Sequence, residues 1–204
     1  MLQKQTVEPI TLELLTGLMQ KEYLNHFVLV GGTALSLQIG HRKSLDLDLF
    51  TPIDMDVEYL QQQLENDYSD FTITLKRSNT LLATINAVKV DFIRFKYGFQ
   101  YPTITENGLR LANIKDIAPM KLDAITGRGK KKDFYDLYFL LKQFTLPELL
   151  DLYQSKYQHT TLFHVIRSIN YFTEAESEVN PFVFDKNITW EKVKEAIANE
   201  IRKL

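Results

Sequence analysis

Asp46 and Asp48 alternate with leucines in SLDLDLF at residues 44–50, and this spacing is the first feature that could carry chemistry. Successive side chains of a strand leave opposite faces, so a strand over 44–50 puts Asp46 and Asp48 on one face and Leu45, Leu47 and Leu49 on the other. Aspartate is disfavoured in strands, and two carboxylates side by side repel each other. A divalent cation relieves that repulsion, and oxygen ligands suit Mg²⁺ or Mn²⁺. For the pair taken alone, a strand with its polar face in water is the simpler account. Asp91 shifts the balance, because it sits among apolar residues in VKVDFIRF at 88–95. If that strand lies beside 44–50, three carboxylates on neighbouring strands can hold two metals, one activating the attacking oxygen and one binding nucleotide phosphates.

The elements around these residues are readable from periodicity. FVLV at 27–30 is a short buried strand that stops at Gly31-Gly32, and TALSLQIG continues as a short helix ending near Gly40. Glycines between a strand and a helix let backbone N–H groups approach a phosphate, and the helix N-terminus favours negative charge. Helices are expected at 10–25 and 54–67, and further strands at 71–77, 81–87 and 88–95. From 113 onward the pattern is helical: 113–127, with Pro119 a possible true start, then 131–144, 146–157, 160–177 and 189–204. This predicts an α+β chain, with an α/β domain of mixed β-sheet and flanking helices at 1–112 and a helical bundle at 113–204.

Composition narrows the function classes. The chain has 204 residues, 45% hydrophobic and 25% charged, and no cysteine, which excludes disulfides and thiolate metal sites. No apolar run approaches the roughly 20 residues of a membrane span, and the N-terminus does not read as a signal peptide, so a cytoplasmic protein without membrane contact is expected. The net charge of −2 gives no global pointer to nucleic acid, although RGKKK at 128–132 is a local cationic run of the kind usually found solvated. His159 and His164 miss helical i, i+4 spacing, and no zinc site is expected; for His41 a local structural hydrogen bond is expected rather than catalysis. Tyr135, Tyr138, Phe139, Phe144, Tyr153, Tyr157, Phe163 and Tyr171 read as packing residues.

GGTALSLQIGHRKSLDLDLF together with KLDAITGRGKKKDFYDLYFLL resembles the AbiEii/AbiGii toxin family of bacterial abortive-infection systems. More broadly, a glycine pair, a short helix, D-x-D on a strand and a later strand Asp are similar to the nucleotidyltransferase fold of DNA polymerase beta-like enzymes. The resemblance implies transfer of a nucleoside monophosphate from an NTP to an acceptor, with tRNA a plausible acceptor and Mg²⁺ or Mn²⁺ as cofactor. Gly31, Gly32 and Thr33 would cradle the triphosphate, with Arg42 and Ser44 flanking it. Asp46 and Asp48 would bind metal, and Asp91 would complete the set as ligand or general base. Lys121 would contact the nucleotide, Asp133 would belong to a second catalytic block, and Arg128, Lys132 and Asp136 would support it. On residue types alone, Asp133 and Asp136 could equally pair with Lys130 or Lys132 or cap their helix, and Lys121 could be a solvated lysine. The family implies a cognate antitoxin, acting without stable binding. A small-molecule or protein hydroxyl as acceptor, or a non-catalytic nucleotide-binding module, are the other readings.

Overall fold

A computed structural model describes residues 1–158 and 160–204, leaving only His159 outside the described residues. The chain forms two compact units: Met1–Gly40 with Ser44–Asn113, and His41–Lys43 with Ile114–Leu204.

The first unit is built on one seven-stranded mixed sheet. In chain order it contains α1 (Pro9–Met19), β1 (Val28–Val30), α2 (Gly31–Ile39), β2 (Leu47–Thr51), α3 (Val57–Asp67), β3 (Phe71–Arg77), β4 (Thr80–Ile85), β5 (Val88–Arg94), β6 (Ile104–Glu106) and β7 (Leu109–Leu111). The strand order is β3-β4-β5-β2-β1-β7-β6. β3, β4 and β5 form an antiparallel meander, β5 runs parallel to β2, and β2 runs antiparallel to β1. The central strands are apolar because both faces are covered: Leu29, Val30, Leu47, Leu49, Val90 and Phe92 are all buried.

Three expectations for this unit need correction. The first helix ends at Met19 rather than 25, and a 3₁₀ turn covers Glu22–Leu24. The strand expected at 44–50 begins only at Leu47, because the Ser44 amide is diverted to the Thr6 carbonyl at 2.9 Å and pairs with Val7 rather than β1. Leu45 is therefore 60% exposed and does not share the buried face of Leu47 and Leu49. The β6–β7 hairpin was not expected at all. Its turn is Asn107-Gly108, both left-handed at φ 52° and 77°, the geometry that two-residue hairpins require.

The second unit contains α4 (Ile114–Arg128), α5 (Lys131–Leu140), α6 (Leu146–Lys156), α7 (Leu162–Ile169) and α8 (Trp190–Ile201). α4 packs against α5, α6 and α7, and α5 against α8. Thr145 and Glu148 form a capping box that starts α6. Pro119 lies inside α4 and is not its start. The helix expected over 160–177 stops at Ile169, with only a 3₁₀ turn at Thr173–Ala175 beyond it. Phe163 and Tyr171 are 69% and 53% exposed, so they are not the packing residues their spacing suggested. Lys131 of the cationic run is buried, its Nζ donating to the Glu176 and Glu178 carbonyls at 3.1 and 2.5 Å. No helix among the described residues is long and apolar enough to cross a membrane.

Candidate active site

β2 carries Asp48 into the middle of the sheet, paired with Val30 of β1 on one side and Asp91 of β5 on the other. Residues directly opposite each other on paired strands project to the same face, so Asp48 and Asp91 are neighbours there. Asp46 lies just before the strand begins. The turn from β1 into α2 is made by Gly31 at φ +68°, and a Cβ on that residue would lie 2.1 Å from Asp48 Oδ2. Glycine is thus required twice here, by its backbone conformation and by the Asp48 carboxylate lying against it. Thr33, in the first turn of α2, donates from Oγ1 to the Asp46 carbonyl and shares a 2.9 Å hydrogen bond with Ser44 Oγ. Gly32, Thr33 and Ser44 are buried, so this contact anchors the approach to β2 and leaves Asp46 and Asp48 partly accessible.

Asp91 is divided between two environments. Its Oδ2 accepts from Lys89 Nζ at 2.9 Å, while its Oδ1 is buried without a hydrogen-bond partner. Partial burial alone would lower the Lys89 pKa, but its hydrogen bond to Asp91 and the charges of Asp91, Asp46 and Asp48 outweigh it and raise it. The three carboxylates therefore act together on one ammonium. Among the described residues, no three acidic or histidine side chains are already gathered as a metal cluster. The donor set nevertheless fits a hard divalent cation: it is all carboxylate oxygen, one oxygen is buried and unpartnered, and a monovalent cation already sits against it.

The second charged cluster lies wholly in the second unit. Arg42 grips Asp136 with two nitrogens, Nε to Oδ1 at 2.6 Å and Nη2 to Oδ2 at 2.9 Å. His41 Nε2 lies 2.7 Å from Asp136 Oδ1, and Lys121 Nζ 2.7 Å from Oδ2. Lys121 also donates to Asp133 Oδ1 at 2.9 Å, and Arg128 Nε to Asp133 Oδ2 at 3.1 Å. α4 continues to Arg128 despite Gly127, so Lys121 and Arg128 reach the same carboxylate from one helix. Burial alone would raise the Asp136 carboxyl, but Arg42, Lys121 and His41 hold it well below the usual range. Asp133 is lowered in the same way: Lys121 and Arg128 overcome the effects of burial and of Asp136. For Lys121, burial pushes downward, but Asp136 and Asp133 prevail and raise it. Burial lowers His41, with Asp136 opposing only in part.

The structure thus brings Gly31, Thr33, Ser44, Asp46, Asp48 and Asp91 together in the first unit, and Arg42, Lys121, Arg128, Asp133 and Asp136 in the second. Lys132 is partly accessible. Asp133 is met by Lys121 and Arg128, and Asp136 by Arg42, Lys121 and His41; Lys121 is buried rather than solvated. His41 does make a structural hydrogen bond, but to a residue 95 positions away. Sequence reasoning missed Lys89; its only signal was K-x-D on one strand face, a pattern shared by many surface strands.

This fold is that of the nucleotidyltransferases. The protein JHP933 of Helicobacter pylori superposes with a TM-score of 0.58 at 19% identity, over 97% of this chain and 92% of that one. MenT4, a nucleotidyltransferase toxin of Mycobacterium tuberculosis, superposes with a TM-score of 0.51 at 16% identity, over 88% of this chain and 76% of that one. The model of the AbiEii nucleotidyl transferase toxins of type IV toxin–antitoxin systems matches residues 13–203, and the chain belongs to that family. An uncharacterised protein of Aquifex aeolicus is 34% identical over 183 residues, 87% of each chain.

Proposed function

We propose that this nucleotidyltransferase moves a nucleoside monophosphate from an NTP to an RNA acceptor, with tRNA the leading candidate, as the toxin of a cytoplasmic toxin–antitoxin pair. Its antitoxin would act without stable binding. The observation that carries the reading is the in-register pairing of Asp48 with Asp91, with Asp48 lying against the glycine turn that opens α2. Gly31, Gly32 and Thr33 offer their backbone N–H groups to the triphosphate. Asp46, Asp48 and Asp91 would hold Mg²⁺ or Mn²⁺, which neutralises phosphate charge and favours in-line attack at the α-phosphorus. The acceptor oxygen forms its bond to that phosphorus as pyrophosphate leaves, and Asp91 takes up the acceptor's proton. Ser44 positions Thr33. In the second unit, half-exposed Arg128 and partly accessible Lys132 offer positive charge to the acceptor's RNA backbone, while Lys121 holds Asp133, and Asp136 and Arg42 brace that pair.

The test is label transfer from each α-³²P-labelled NTP in the presence of Mg²⁺, with total RNA, protein and metabolite pools offered separately. Label in the tRNA fraction, lost in Asp48→Asn, is the expected result. Label appearing only in protein or in small molecules overturns the RNA acceptor, and no transfer to any pool overturns the activity.

A further inference from the structure

Lys89 precedes Asp91 by two positions on β5, so both side chains leave the same face of the strand. The pair differs sharply in exposure: the Lys89 side chain is 52% exposed and that of Asp91 13%. Lys89 therefore reaches in from solvent along a flexible four-carbon stem to a carboxylate that is largely enclosed. Its ammonium sits 2.9 Å from Asp91 Oδ2 and feels the charges of Asp46 and Asp48 as well. The contact adds little to folding, because an ion pair with one solvated partner is weak. It is well suited to another role. Asp48 and Asp91 are neighbours on the sheet and Asp46 lies just before β2; carboxylates so placed repel each other, and a tethered monovalent cation relieves that repulsion while remaining free to leave.

We propose that Lys89 is a built-in counter-ion for the acidic cluster, resting on Asp91 when no divalent cation is bound and yielding its place when one arrives. This rests on the reading of Asp46, Asp48 and Asp91 as a divalent-cation site. Lys89 would then set how much free cation the protein needs before Asp91 is released, which makes it a positioning residue. The ammonium opposes cation binding twice, by competing for Asp91 and by repelling the incoming charge.

The experiment is a titration of the full chain with Mn²⁺ alone, without nucleotide, following free Mn²⁺ by its electron paramagnetic resonance signal. Lys89→Met keeps the length of the side chain and removes its charge, and circular dichroism checks that the fold is retained. Lys89→Met is expected to bind Mn²⁺ about fivefold to tenfold more tightly than the wild type. Lys89→Arg, which keeps the charge, is expected to stay within about twofold of the wild type. Unchanged or weaker binding by Lys89→Met, with the wild type still binding, overturns the counter-ion role and leaves the cation site standing. Arg behaving like Met overturns it as well. If neither wild type nor Lys89→Met binds Mn²⁺, the cation site itself fails and the counter-ion role with it.

Discussion

Asp136 in the second unit accepts from both Nε and Nη2 of Arg42, meets His41 Nε2 at 2.7 Å, and lies 2.7 Å from Lys121. Asp91 in the first unit has one oxygen on Lys89 and the other buried with no partner. Both are carboxylates removed from most of the water, yet one is fully compensated and the other is not. A buried charge that lacks compensation costs stability, and such a cost persists where a ligand repays it. Compensation of the kind around Asp136 fixes a geometry. The shortfall at Asp91, beside Asp48 and the glycine turn, leaves room for chemistry. The second unit adds a further compensated pair, Lys156 with Asp116 at 2.7 Å, both fully buried.

The contrast can be broken by substitution, and the largest effect is expected at Asp136. Asp136→Asn leaves Arg42 buried without its carboxylate and Lys121 with Asp133 alone, and is expected to cost about 3–5 kcal/mol in urea denaturation. A loss under about 1 kcal/mol would show that the cluster is not the brace described here. Next comes Asp48→Asn. Nucleotide transfer is expected to fall about a hundredfold or more, since a metal ligand acts on several kcal/mol of transition-state charge. Stability should stay within about 1 kcal/mol of the wild type or rise, because like-charge repulsion is removed. Equal loss of stability in Asp48→Asn and Asp136→Asn would erase the distinction between the two clusters.

Gly31→Ala should fall between these two kinds of behaviour. Its Cβ must displace the Asp48 carboxylate, and its backbone must hold a left-handed φ of +68°. A thermal or urea denaturation loss of about 1–3 kcal/mol is expected, together with impaired transfer. The smallest effect concerns pH. His41 has a folded pKa below its unfolded value near 6.5, so the unfolded chain binds the extra proton first as pH falls. Stability should therefore decline as pH drops through about 6.5 toward the folded value, and His41→Gln should flatten that part of the profile. Asp133 and Asp136 act lower: their stabilisation is present above about pH 4, the unfolded aspartate value, and is lost as pH falls through their depressed folded values. Lys121 contributes with the opposite sense, fully below about pH 10 and lost as pH rises through its raised folded value.

The elements that place the acidic residues were legible because their signals are local. FVLV ending in two glycines, the D-x-D alternation and the apolar frame around Asp91 each fit within one strand and its turn. Two kinds of feature were not legible from such windows. One is short structure: β6 and β7 have three residues each, too few for periodicity, although Asn107-Gly108 carried the turn signal. The other is distant pairing. Asp136 meets Arg42 across 94 positions, and nothing in HRK or KDFYD announces that contact. Leu45 shows the same limit on a smaller scale, since the strand's start was decided by the Ser44 amide turning to Thr6.

The three residues His41–Lys43 belong to the second unit although Gly40 before them and Ser44 after them belong to the first. The polypeptide consequently passes from one unit to the other three times, and no single cut yields both units whole. A fragment beginning at Ile114 would retain Asp136 but lack Arg42 and His41. Recombination that exchanges one half of the gene for a relative's would also have to import a three-codon insert embedded in the other half. The two units therefore form one inheritable module, and a graft of the helical part onto another nucleotidyltransferase should carry that tripeptide with it.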